Sequence, residues 1–194
     1  FFFQAEDGIR DYKVTGVQTW CSSDLTKFSR AYTWAEAGYR TTQPSDRFLL
    51  ASCSKMFLEA AVQALYDAKK LKPDTKVYPL LGFSGPLDSR SDVITIQQLL
   101  DHMGGYDDTA TGSGFDPTYN MRKIAIDLGL GHPVTKLDMA SYMYHKYMLD
   151  FPPGTNNKYS NYGYLLASAV VEKVSGMKYF DYVNTTLLQP AGIS

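Results

Sequence analysis

From residue 26 onward, apolar positions first alternate with polar ones and then settle into helical spacing. Over residues 26–37, Phe28, Tyr32 and Trp34 fit a partly buried ribbon of one or two strands, closed by Gly38. After the turn at Pro44-Ser45-Asp46, Phe48-Leu49-Leu50-Ala51 leads into a helix from Ser52 to about Lys70. Its inward candidates are Met56, Ala60, Leu65 and Ala68, and its alanine-rich face suits a helix at the centre of a domain. A turn-rich stretch follows, with Pro73, Pro79, Gly82, Gly85 and Pro86. Thr95-Ile96-Gln97-Gln98 reads as a capping box opening a short helix to about His102, which Met103-Gly104-Gly105 ends. A polar loop with Gly112 and Gly114 runs to Pro117. Helices are expected at about 118–128, at 136–148 capped by Thr135, at 162–174 ended by Gly176, and at about 178–188. Phe151-Pro152-Pro153-Gly154 is a rigid turn between them. Strand lies only at the front, and helix fills the rest.

The first residues, Phe1 to Asp11, fit neither period. The opening from Phe1 to Asp11 also lacks the charged start, apolar centre and small-residue cleavage site of a signal peptide. It resembles a conceptual translation of a short-read sequencing adapter, with a barcode at Tyr12-Lys13 and a frame change near Trp20. The expected organisation is a non-native segment at 1–25 and one portion of a domain over 26–194.

The 194 residues, 44% of them hydrophobic, suffice for one globular domain and are marginal for two. A formal charge of -1 gives no electrostatic reason to expect nucleic acid or an anionic membrane as partner. Setting residues 1–25 aside removes Arg10 and Lys13 against Glu6, Asp7, Asp11 and Asp24. The formal charge moves to +1, and Cys53 remains as the sole cysteine, with no partner for an internal disulfide. No apolar run approaches the roughly 20 residues of a membrane span. His102, His132 and His145 show no metal-ligand spacing, and no cofactor is expected. The 15 Tyr and 10 Phe fit a well-filled core and a cleft with aromatic walls.

Candidate chemistry lies in two short motifs, Ser52-Cys53-Ser54-Lys55 and Tyr159-Ser160-Asn161. Neither is specific by spacing: a Ser-x-x-Lys should arise roughly once by chance in such a chain. Ser175-Gly176-Met177-Lys178 and Tyr182-Val183-Asn184 match the same patterns. Context separates them. Ser175 and Lys178 straddle a helix end, and Tyr182 and Asn184 point to different faces of one helix. Ser52 and Lys55 instead share a face at a helix start, where free N–H groups and the positive dipole end suit a developing oxyanion. The bland alternative makes Ser52 an N-cap, Lys55 a solvated side chain and Asn161 the cap of the next helix. A serine hydroxyl needs a base to become a nucleophile. A lysine fills that part only when burial or neighbouring cations depress its pKa. Tyr159 could relay the proton, and Asn161 could hold a substrate amide and help fix Lys55.

These residues resemble the serine β-lactamase and penicillin-binding-protein superfamily, with most likeness to its class C-like branch of D-Ala-D-Ala carboxypeptidases and esterases. The resemblance covers most of 26–194. It is carried by residues 48–55, by 96–105, by Phe151-Pro152-Pro153-Gly154 leading into Tyr159-Ser160-Asn161, and by Gln189-Pro190-Ala191-Gly192-Ile193. It implies an α+β fold, an antiparallel sheet flanked by helices plus a helical lobe. It also implies acylation of Ser52, with Lys55 and Tyr159 as the proton-transfer pair and Asn161 as substrate contact. His102 and Gly105 match a segment that looks structural. The third motif, a Lys-Thr-Gly or His-x-Gly on a strand edging the site, is absent before Ser194, so the C-terminal strands and the second oxyanion donor are expected beyond the chain. The implied substrate is a small ester, peptide or lactam; the alternative is a non-hydrolysing penicillin-binding sensor or cell-wall interaction protein of the same fold. Periplasmic or secreted placement is implied, but without a native N-terminus no leader is legible.

Overall fold

The extended stretch expected at the front is one arm of an antiparallel hairpin. Strand β1 (Gly16–Ser22) pairs with β2 (Leu25–Tyr32) from Gly16↔Tyr32 to Ser22↔Leu25, with an irregularity between Trp20 and Cys21. The apolar pattern predicts no strand at β1; pairing with β2 supplies the backbone partners that an extended chain needs. The computed structural model describes residues 16–22, 25–32, 38, 40–108 and 115–193, and Trp34 lies outside them. The chain divides into two compact units, Phe1–Ala51 and Ser52–Ser194, and the hairpin belongs to the first.

Among the described residues of the second unit every named element is a helix or helical turn, and one isolated bridge pairs Lys76 with Thr95. The helix expected from Ser52 starts later: a 3-10 turn, Ala51–Ser54, precedes α1 (Lys55–Asp67). Its buried face is Leu58, Ala61, Val62 and Leu65. Of the four inward candidates only Leu65 is buried; Met56 is 62% exposed, and Ala60 and Ala68 face solvent. Alanine carries too little apolar surface to decide which way a helix turns, and the larger Leu58 and Leu65 decide it.

Two short elements interrupt the turn-rich stretch, α2 (Val77–Leu81) and a 3-10 turn at Ser89–Val93. Helix α3 (Ile96–Leu100) opens with the expected capping box: Gln98 N donates to Thr95 Oγ1 and Thr95 N donates to Gln98 Oε1. A 3-10 turn at Pro117–Tyr119 and α4 (Met121–Leu128) replace the helix expected at 118–128. Helix α5 (Lys136–Lys146) carries a second capping box, Thr135 with Asp138. Helix α6 (Asn161–Ser175) is followed by the left-handed Gly176, α7 (Tyr179–Val183) and a π-helical turn, Asn184–Leu188.

The central helix is α6, not α1. It buries Tyr162, Gly163, Tyr164 and every residue from Leu166 to Val171, as a helix enclosed on nearly all sides must. Around it pack Leu58, Val62 and Leu65 of α1, Val77 and Tyr78 of α2, Ile96 and Leu99 of α3, and Met139, Ala140 and Met143 of α5. Three buried phenols tie this core together: Tyr78 Oη lies 2.8 Å from Tyr106 Oη and 2.7 Å from Tyr162 Oη. Burial pushes all three far above the usual phenol range, so they stay neutral and exchange hydroxyl hydrogen bonds.

Tyr78→Phe would remove the shared hydroxyl and leave two buried phenols short of a partner. We expect a loss of about 1–3 kcal/mol in urea-unfolding stability, with an unchanged circular dichroism spectrum.

Candidate active site

The loop that ends in Tyr159 is lashed along its length to the segment after α3. His102 takes the left-handed conformation, φ 56°, which ends α3 and turns the chain back. Gly105, φ 98°, follows where a Cβ would come within 2.8 Å of the Phe151 carbonyl oxygen; no other residue fits there. Four backbone N–H groups then donate across the gap: Asp150 to Gly105 O at 2.9 Å, Gly154 to Met103 O at 2.8 Å, Lys158 to His102 O at 2.8 Å, and Ser160 to His102 Nδ1 at 3.1 Å. Because His102 Nδ1 accepts, that ring is neutral. Burial and the nearby charge of Lys55 hold it below the usual imidazole range. Its ring sits between Tyr159 and Tyr164, with centroids 4.6 and 4.8 Å away. His102 therefore shapes the site, though the sequence assigned it no chemistry.

This lashing brings the four sequence-predicted residues together from opposite parts of the chain. Ser52 Oγ lies 2.7 Å from Tyr159 Oη, and Lys55 Nζ donates to Ser52 Oγ at 3.4 Å. Lys55 Nζ also donates to Asn161 Oδ1 at 2.9 Å and lies 4.6 Å above the Tyr159 ring centroid. Ser52 is solvent-accessible and Tyr159 is 44% exposed, while Lys55 is half-buried. The hydroxyl is thus open to a reagent on one side and held by an amine and a phenol on the other. Burial raises the Tyr159 phenol, but hydrogen bonds from Lys55 and Ser52 and the Lys55 charge outweigh it and leave Tyr159 below the usual phenol range.

The cap of α6 is Ser160, whose Oγ accepts from Gly163 N at 3.1 Å. Asn161 is the first residue of that helix, so its side chain is free of the capping duty that the bland reading gave it. Its amide bridges two groups: Oδ1 accepts from Lys55, and Nδ2 donates to Asp116 Oδ2 at 3.0 Å. Its backbone N donates to Asp108 Oδ2 at 2.7 Å, and Ser160 Oγ donates to Asp108 Oδ1 at 3.1 Å. Tyr164, one turn on, donates its hydroxyl to Glu59 Oε1 or the Leu100 carbonyl and ties α6 to α1 and α3.

Asp108 and Asp116 escaped the sequence reading because both sit in a polar loop with no period and no motif. The chance matches stay apart from this site: Ser175 ends α6 while Lys178 precedes α7, and Tyr182 belongs to α7 while Asn184 opens the π-helical turn. Among the described residues no group of His, Cys, Asp or Glu has metal-binding geometry, and no helix is long and apolar enough to cross a membrane.

A family model described as Beta-lactamase matches residues 4–194. The chain is 34% identical over 147 residues to "Probable fimbrial assembly protein FimD, serogroup H1" of Dichelobacter nodosus, covering 74% of this chain and 34% of that protein. It is 28% identical over 158 residues to penicillin-binding protein 4* of Bacillus subtilis (strain 168), covering 80% and 31%. Among solved structures it is similar to a D-stereospecific amidohydrolase from Streptomyces sp., at 25% identity and TM-score 0.63, over 85% of this chain and 46% of that one. The chain spans about a third of the length of these curated relatives.

Lys55→Met removes both the hydrogen bond and the charge that favour the Tyr159 phenolate. The Tyr159 phenol should then ionise at higher pH than in the parent chain, read from the Cζ shift of ring-labelled tyrosine; an unmoved titration would mean that Lys55 does not act on it.

Proposed function

The chain belongs to the beta-lactamase family, within the serine β-lactamase and penicillin-binding-protein superfamily, and from that premise we propose that it carries the nucleophilic part of a serine hydrolase working through an acyl-serine. Its fold is β-lactamase/transpeptidase-like, and the family's members are hydrolases. The observation that carries the reading is the contact of one exposed hydroxyl, Ser52 Oγ, with both Tyr159 Oη and Lys55 Nζ.

In the proposed reaction Ser52 Oγ attacks a carbonyl carbon while its proton passes to Tyr159 Oη, which the Lys55 charge keeps receptive. Negative charge on the carbonyl oxygen is stabilised by the positive dipole end of α1, which starts next to Ser52. The proton then moves to the leaving atom as its bond to the carbonyl carbon breaks, and an ester remains on Ser52. Water attacks that ester, loses a proton to the same pair, and releases the acid as the proton returns to Ser52. Lys55 holds Asn161 Oδ1, so one Nδ2 hydrogen, not used by Asp116, is available to a substrate carbonyl.

Similarity to a penicillin-binding protein and to a D-stereospecific amidohydrolase supports an amide or lactam carbonyl as substrate alongside a simple ester. In the same reading residues 1–25 are non-native, and 26–194 carry the first two motifs of the domain. The flanking antiparallel sheet and the second oxyanion donor then come from strands outside these residues. Loss of one such donor costs about 10²–10³ in rate, so turnover by this segment alone is expected to be slow.

Acylation tests the proposal directly. Incubation with a fluorophosphonate or a fluorescent penicillin, followed by peptide mass spectrometry, should find one adduct on Ser52 and none in Ser52→Ala. Undiminished labelling of Ser52→Ala would sink the assignment. Slow release of the penicillin label marks a hydrolase, whereas permanent stoichiometric label marks a non-hydrolysing penicillin-binding sensor.

A further inference from the structure

Two acidic side chains hold the candidate site without touching the reacting atoms. Asp116, 7% exposed, caps the 3-10 turn at Pro117–Tyr119: its Oδ1 accepts from Thr118 N at 2.8 Å and from Thr118 Oγ1, and its carbonyl accepts from Asn120 Nδ2. Its other oxygen, Oδ2, takes the Asn161 amide. Asp108 grips the backbone N of Asn161 and the Ser160 hydroxyl from the other side. Both carboxylates therefore close on Asn161, Asp108 at its backbone and Asp116 at its side chain. Two like charges brought to one residue favour a proton on one of them.

The consequence falls on Asn161. An amide can face either way, and only one way suits its neighbours. With Oδ1 toward Lys55 and Nδ2 toward Asp116, each contact pairs a donor with an acceptor. Flipped, the amide would set Nδ2 against the Lys55 amine and Oδ1 against a carboxylate. Resting on the reading of Ser52 as nucleophile, we propose that Asp108 and Asp116 are positioning residues, and that together they set the Asn161 amide and make the alignment of Lys55 depend on their charge.

Burial, together with the charge and hydrogen bond of Asp116, raises Asp108 to about 6, even though the Asn161 N–H and Ser160 hydroxyl pull it down. As pH rises through that value Asp108 loses its proton, and two negative charges repel beside Asn161. Around the pair stand Lys55 across the Asn161 amide, Tyr159, and His102 through Ser160. His102 is neutral, and among these groups Lys55 is the cation.

Carboxyl-detected NMR titration of the chain labelled at Asp, with Asp116→Asn beside it, reads the coupling of the two acids without any need for turnover. Asp108 should titrate near 6 in the parent and fall toward the ordinary carboxylate range in Asp116→Asn; an unmoved Asp108 would overturn the pair. Fluorophosphonate labelling of Ser52 across pH 5–8 reads the coupling. Parent protein should show an ionisation near 6 that Asp108→Asn lacks, and Asp116→Ala should label about 10²-fold more slowly with an unchanged fold by circular dichroism. Equal labelling rates and profiles in all three would overturn the positioning role. Parent protein that never labels would overturn the nucleophile reading, while the carboxyl titration still decides for or against the coupled acids.

Discussion

The geometry of the candidate site depends on one side-chain amide. Asn161 accepts from Lys55 and donates to Asp116. It thereby links α1, which carries the lysine, to the loop before the Pro117–Tyr119 turn. Its backbone N–H is taken by Asp108, so both the place and the orientation of the amide are constrained. Such a network is more costly to break than its separate bonds imply, because each group is partly withdrawn from water and loses its partner outright.

A second constraint keeps Tyr159 in reach of Ser52. The phenol stands at the end of a proline-rich loop, which by itself has no reason to hold its last residues still. The left-handed His102 and the tight approach at Gly105 let the preceding segment run beside that loop closely enough for four N–H groups to find acceptors. The His102 ring then fills the space between Tyr159 and Tyr164. A neutral histidine thus fixes the direction of the tyrosine ring. Behind these contacts the buried α6 and its three-phenol network supply a wall that does not shift.

Much of the helical layout was legible in the chain. The capping boxes at Thr95 and Thr135 and the glycine at 176 mark real helix ends, because caps are local hydrogen-bond solutions that neighbouring residues write together. The rotation of α1 was not legible: alanines at 60 and 68 resemble an inward face by period, yet the leucines carry the burial. The short α2 was hidden among prolines and glycines. At the site, Ser52 and Lys55 could be paired because they are neighbours on one turn, and Tyr159 with Asn161 because they share a motif. Asp108 and Asp116 left no such trace, since their partners lie tens of residues away, whereas His102 was legible through the structural-looking segment it shares with Gly105.

The sequence by itself determined which side chains could do chemistry, which short stretches would cap and end helices, and the family to which they belong. Tertiary structure alone decided that a serine at 52 and a tyrosine at 159 meet within 2.7 Å, and that two acids from a patternless loop hold the asparagine between them. The physical reason is range. Caps and turn residues act over three or four positions and can be read locally, whereas contacts across more than a hundred residues exist only after the core around α6 has set the directions of its helices.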